Sequence, residues 1–64
     1  MSSAATTPKG TILVVDDEPA ILRALDVNLR ARGYDVQLAA TGTQALALAA
    51  RRHPDAVVLD LGLP

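Results

Sequence analysis

An α/β fold built on a small parallel sheet is what this sequence predicts, and three observations predict it. Two short apolar runs, residues 11–16 and 55–60, are continuous rather than alternating, the pattern of strands covered on both faces. Each run closes on a carboxylate, Asp16 and Asp60. Between the runs lie two helical stretches and one alternating segment, which gives the order β-α-β-α-β.

Residues 1–10 are Ser/Thr/Ala-rich and lack an apolar signal core, so they read as a flexible tail ahead of a single unit over 11–64. The first strand ends at Asp16-Asp17-Glu18-Pro19, a strand-to-helix signature. Asp17 or Glu18 can cap, and Pro19 suits the first helical turn because its missing N–H would be unpaired there. A helix over 19–32 places Ile21, Leu22, Leu25 and Leu29 on one stripe, and Gly33 stops it. Asp35 to Ala39 alternates polar and apolar, as expected of a half-exposed strand at a sheet edge. Thr41 and Gln44 have capping-box spacing for a second helix over 42–52, which ends in Arg51-Arg52-His53 before Pro54. The edge-like second strand and the two buried-like ones order the sheet 2-1-3, with one helix on each face and right-handed crossovers.

The bulk composition narrows the function. At 64 residues the chain is one small domain, and a hydrophobic content of 50% argues for a folded segment. Tyr34 is the one aromatic residue, so the core is aliphatic. Six basic and seven acidic residues give a net charge of −1, which supplies no electrostatic reason for nucleic acid or a membrane surface as direct partner. The absence of cysteine removes disulfide and thiolate chemistry and fits a reducing, cytoplasmic setting. No apolar run approaches the roughly 18 residues that span a bilayer.

In open parallel sheets ligands bind at the carboxyl ends of the strands, where the strand order reverses. With order 2-1-3 that point lies between strands one and three, which brings Asp16, Asp17 and Asp60 together. Carboxylates crowded in this way repel one another unless a cation binds, and Mg²⁺ suits a few carboxylates plus water and a phosphoryl oxygen. A carboxylate beside such a metal can attack phosphorus to give an acyl phosphate. His53 follows two arginines at a helix end, where a dipole contact is expected rather than chemistry. Gly33 and Gly42 belong to turns, since no nucleotide-loop glycine pattern is present.

Four stretches taken in order resemble the amino-terminal half of a response-regulator receiver domain of bacterial two-component signalling. They are Ile12 to Pro19, Arg32-Gly33-Tyr34, Ala40 to Leu46, and Pro54 to Pro64. The resemblance implies a flavodoxin-like receiver fragment that stops before strands four and five. It implies phosphorylation of Asp60 by a sensor histidine kinase, with Mg²⁺ held by Asp16, Asp17, Asp60 and the main-chain carbonyl of Gly62. On that view the chain is a phosphorelay phosphoacceptor rather than an enzyme. The wording Asp60-Leu61-Gly62-Leu63-Pro64 is most similar to winged-helix transcriptional regulators, including those of Kdp-type potassium-transport systems.

The Thr or Ser and the Lys that receivers carry after their fourth and fifth strands have no counterpart in these residues, and Lys9 is not a substitute. An alternative expectation follows: a phosphorylation-incompetent receiver fragment that self-associates as a homo-oligomer through its third strand or helix faces. An aspartate-nucleophile phosphatase is excluded by spacing, because a second Asp is needed where Gly62 stands.

Overall fold

Three strands and two helices form in the expected order in the computed structural model, which describes residues 8–59. They are β1 (Thr11–Val15), α1 (Pro19–Ala31), β2 (Asp35–Ala39), α2 (Gly42–Arg52) and β3 (Ala56–Leu59). The sheet is parallel throughout, in the order β2-β1-β3. Its register sets Val15 beside Ala39 on one side and beside Leu59 on the other.

Alternation along β1 divides the core into two layers. Ile12 and Val14 join Val36 on one face, where Leu22, Leu25, Leu29 and Tyr34 pack against them. Leu13 and Val15 join Ala39 on the other, under Ala45, Leu48 and Ala49. Ile21, placed on the α1 stripe by sequence, is half-buried and stands outside the first cluster. A sheet covered on both faces explains why β1 carries no polar residue between Ile12 and Val15.

The local signals are met with some changes of partner. The α1 N-cap is Glu18, but its side chain makes no capping bond; the Asp16 carboxylate takes the Glu18 N–H instead, at 2.8 Å. Gly33 ends the helix at φ +96°, a left-handed conformation that favours glycine, and Tyr34 donates back to the Leu29 carbonyl. On α2, Thr41 Oγ1 accepts from the Gln44 N–H at 3.1 Å. The reciprocal half of the box reaches one residue further than expected, since Gln44 Oε1 accepts from Ala40 N. His53 is the α2 C-cap at φ 48°, exposed, and donates its N–H to the Ala49 carbonyl.

Two chain junctions differ from the sequence reading. Lys9, read with the tail, donates its N–H to Gly33 O and sets its ammonium 5.7 Å from the Tyr34 ring centroid. Residues 1–7 of that tail lie outside the described residues. β3, whose composition suggested burial on both faces, is exposed at every position. Among the described residues it pairs with β1 on one side only, and none of its side chains joins either core cluster. No described helix is long and apolar enough to cross a membrane.

Candidate functional site

The carboxyl edge of the sheet is positioned by β1. Asp16 follows Val15 directly and is still tied into the sheet through its N–H, which donates to Ala39 O at 3.1 Å. The same anchoring carries its side chain into the interior, where it is 1% exposed. One carboxylate oxygen, Oδ1, accepts from Glu18 N in a two-residue Asx turn that starts α1. The other, Oδ2, is buried and has no hydrogen-bond partner among the described residues. Asp17, the next residue, is exposed on the turn, and so is Glu18.

A buried carboxylate oxygen without a donor is costly, because burial takes away its water and gives nothing in exchange. Among the described residues no Lys or Arg forms an ion pair with Asp16, Asp17 or Glu18; the ion pairs present gather on Arg30, with Asp26 and Asp35. The donor set therefore suits a hard cation that prefers oxygen ligands, with Asp16 Oδ2 able to face it and Asp17 within one residue on open turn. Among the described residues Gln37 Oε1 is the other buried side-chain oxygen without a partner, but Gln37 lies within β2 rather than at its carboxyl end.

Of the four residues expected to hold the metal, the structure places Asp16 and Asp17 at the predicted edge. Asp60 and Gly62 lie outside the described residues. Among the described residues, no three His, Cys, Asp or Glu side chains gather as a metal-binding group. The register does bear on the missing half of the site. Val15 pairs with Leu59, and the next residues in sequence are Asp16 and Asp60. The apolar groove between α2 and β3 contains none of these carboxylates.

Sequence reasoning did not find the role of Asp16 in starting α1. It assigned the cap to the two acids nearest the helix, whereas an Asx turn reaches two residues forward. It also passed over Asp55, whose Oδ2 accepts from Thr11 N at 2.8 Å while its N–H donates to Thr11 O. That pair of bonds fixes the start of β3 against β1 and so sets the register that the site depends on. An Asp just ahead of an apolar run was the available signal.

Residues 12–64 match the response regulator receiver domain family. The chain is similar to the transcriptional regulatory protein KdpE of Mycobacterium tuberculosis (strain ATCC 25618 / H37Rv), with 62% identity over 53 residues. That alignment covers 83% of this chain and 24% of the relative. The DNA-binding dual master transcriptional regulator RpaA of Synechocystis sp. is 49% identical over 53 residues, covering 83% of the chain and 22% of the relative. The transcriptional regulatory protein PrrA of Mycobacterium tuberculosis is 41% identical over 64 residues, 100% of the chain and 27% of the relative. The chain thus spans about a quarter of the length of the curated relatives it matches.

Proposed function

The chain belongs to the response regulator receiver domain family, and from that premise we propose that it is a Mg²⁺-dependent phosphoacceptor in two-component signalling, modified on Asp60. The observation that carries this reading is Asp16, buried at the carboxyl edge of the central strand with one oxygen unpaired among the described residues. The register of β1 with β3 supports it, since Asp16 and Asp60 are the residues that follow the paired Val15 and Leu59.

Asp16, Asp17, Asp60 and the Gly62 carbonyl are the groups that would hold the cation. Bound there, Mg²⁺ would neutralise carboxylate charge and polarise the phosphoryl group. Asp60 attacks phosphorus through a carboxylate oxygen. The phosphorus–nitrogen bond of a kinase phosphohistidine breaks, the imidazole leaves, and an acyl phosphate results. Asp16 serves this step by its fixed place: the Glu18 N–H holds Oδ1 and leaves Oδ2 for the cation. The module accepts and holds a phosphoryl group rather than turning over a substrate. A sensor histidine kinase is the donor in the whole protein, which places the module in the cytoplasm. The relatives' names support a parent that regulates transcription, with DNA contact made outside this segment.

The test is mass spectrometry of the chain incubated with phosphoramidate, with and without Mg²⁺. One added phosphoryl group is expected, dependent on Mg²⁺ and absent in Asp60→Asn. Labelling that persists in the variant, or an unmodified wild-type chain, refutes the proposal for these residues.

A further inference from the structure

The Gly10-Thr11 dipeptide ties together the starts of all three strands. Gly10 O accepts from Asp35 N at 2.9 Å, which joins β2. Thr11, the first residue of β1, gives both its main-chain groups to Asp55, just ahead of β3. Thr11 O accepts from Asp55 N at 2.8 Å, and Thr11 N donates to Asp55 Oδ2, also at 2.8 Å. The two bonds differ in what they require. Any residue but proline supplies the first, whereas the second needs a short side chain that ends in an acceptor. Gly10 makes room for that side chain: a Cβ at this position would stand 3.1 Å from Asp55 Oδ2, closer than an ordinary contact.

The apolar residues of β3 do not by themselves choose a register against β1. Val57 and Val58 are identical neighbours on opposite faces, so a slip by one residue exchanges valine for valine at the strand centre. Main-chain bonds are no more selective, since every rung of a parallel ladder offers the same groups. The observed register sets Val15 beside Leu59, the residues that precede Asp16 and Asp60. A slip of one residue carries the strand about 3.3 Å along β1, and a slip of two about 6.6 Å. Either exceeds what a shared Mg²⁺ accepts, because its oxygen ligands must all lie at about 2 Å.

We propose that the Asp55 carboxylate is a positioning group for the phosphoacceptor site: it selects the β1–β3 register and so keeps the residue after Leu59 level with Asp16. This rests on the reading of Asp60 as phosphoacceptor. Asp55 stands at the opposite end of β3 from that site and acts through the length of the strand, roughly 13 Å over four residues. What the bond to Thr11 N requires is an oxygen of the right reach, not a charge. Asparagine retains that oxygen, while alanine retains only the main-chain bond, which any register can remake with another residue.

Two readouts on the 64-residue chain decide the matter: the cross-strand nuclear Overhauser contact between Val15 and Leu59, and the rate of Mg²⁺-dependent labelling by phosphoramidate. In Asp55→Ala the contact should be lost or divided among registers, and labelling slowed by about tenfold or more. Asp55→Asn should restore both. Gly33→Ala, a destabilising change at the end of α1, should keep the contact and the labelling rate of the folded protein. If Asp55→Ala does not fold, Gly10→Ala takes its place, because the added Cβ displaces the carboxylate while leaving Asp55 itself. A wild-type contact in the alanine variant overturns the proposal, as does an asparagine variant that behaves like alanine. Equal slowing in Gly33→Ala overturns it too, since lost stability alone then accounts for the effect. A wild-type chain that takes no label refutes the phosphoacceptor reading instead, and the Val15–Leu59 contact still decides whether Asp55 sets the register.

Discussion

Replacing Asp16 by Asn separates a carboxylate held for a cation from one held for the fold. In the wild type Asp16 Oδ1 is satisfied by Glu18 N, and Oδ2 is buried with no partner among the described residues. A buried polar atom left unsatisfied costs about 1–3 kcal/mol, and a charged one costs more. Asparagine keeps the shape and the Oδ1 acceptor but removes the charge. Its amide nitrogen remains unpaired, so only part of the penalty is recovered, about 1 kcal/mol. In a domain of this size that raises the midpoint of thermal unfolding by about 4–8 °C. Mg²⁺ acts in the opposite sense on the comparison: at ten times its Kd it stabilises the wild type by about 1.4 kcal/mol through mass action. The variant forfeits that gain. Thermal unfolding followed by circular dichroism, with and without Mg²⁺, should therefore show a variant that melts higher than wild type without metal and does not respond to metal. A lower midpoint for the metal-free variant, or an equal Mg²⁺ response in both proteins, refutes the reasoning.

Two further perturbations probe the frame that holds the site. Leu13→Ala empties a position 1% exposed in the layer under α2 and should cost about 2–5 kcal/mol, comparable to the whole stability of a domain this small; its urea transition should be lost or shifted close to zero denaturant, and an unmoved midpoint would contradict the packing. Gly33→Ala leaves ordinary contact with the Lys9 side chain at 3.5 Å but forces φ +96° on a residue with a Cβ. Its cost of about 1–2 kcal/mol should lower the urea midpoint at constant slope, and an unchanged midpoint would mean that the left-handed stop is not needed.

Patterning made the elements legible because each rests on a local rule. The unbroken apolar run of β1, Pro19 at the start of α1, Gly33 beyond its end and Thr41 ahead of α2 each act within a few residues. Strand order was legible too, since the polar and apolar alternation in the β2 sequence pointed to a sheet edge, where the strand stands. What stayed hidden depends on partners distant in sequence. The apolar composition of β3 says which surfaces favour burial and is silent on whether anything covers them. Asp16 and Asp17 are neighbours of identical chemistry, and only the Ala39 carbonyl, which retains Asp16 N in the sheet, distinguishes the buried one from the exposed one. Asp16 and Asp17 stand at the end of β1 as their place in sequence implies, while the division of labour between the two oxygens of Asp16 depends on the turn that follows.

The central position of β1 has a kinetic consequence. Its backbone groups serve one neighbour or the other: Asp16 N bonds β2, and Thr11 O is taken by Asp55, just ahead of β3. Pairing with β2 closes a short loop through α1, whereas pairing with β3 spans both helices, so the first union is the faster and the second the slower. Hydrogen exchange along this one strand would thus resolve two events. Amides of Ile12, Val14 and Asp16 time the joining of β2, those of Leu13 and Val15 time the arrival of β3, and adjacent residues become separate clocks.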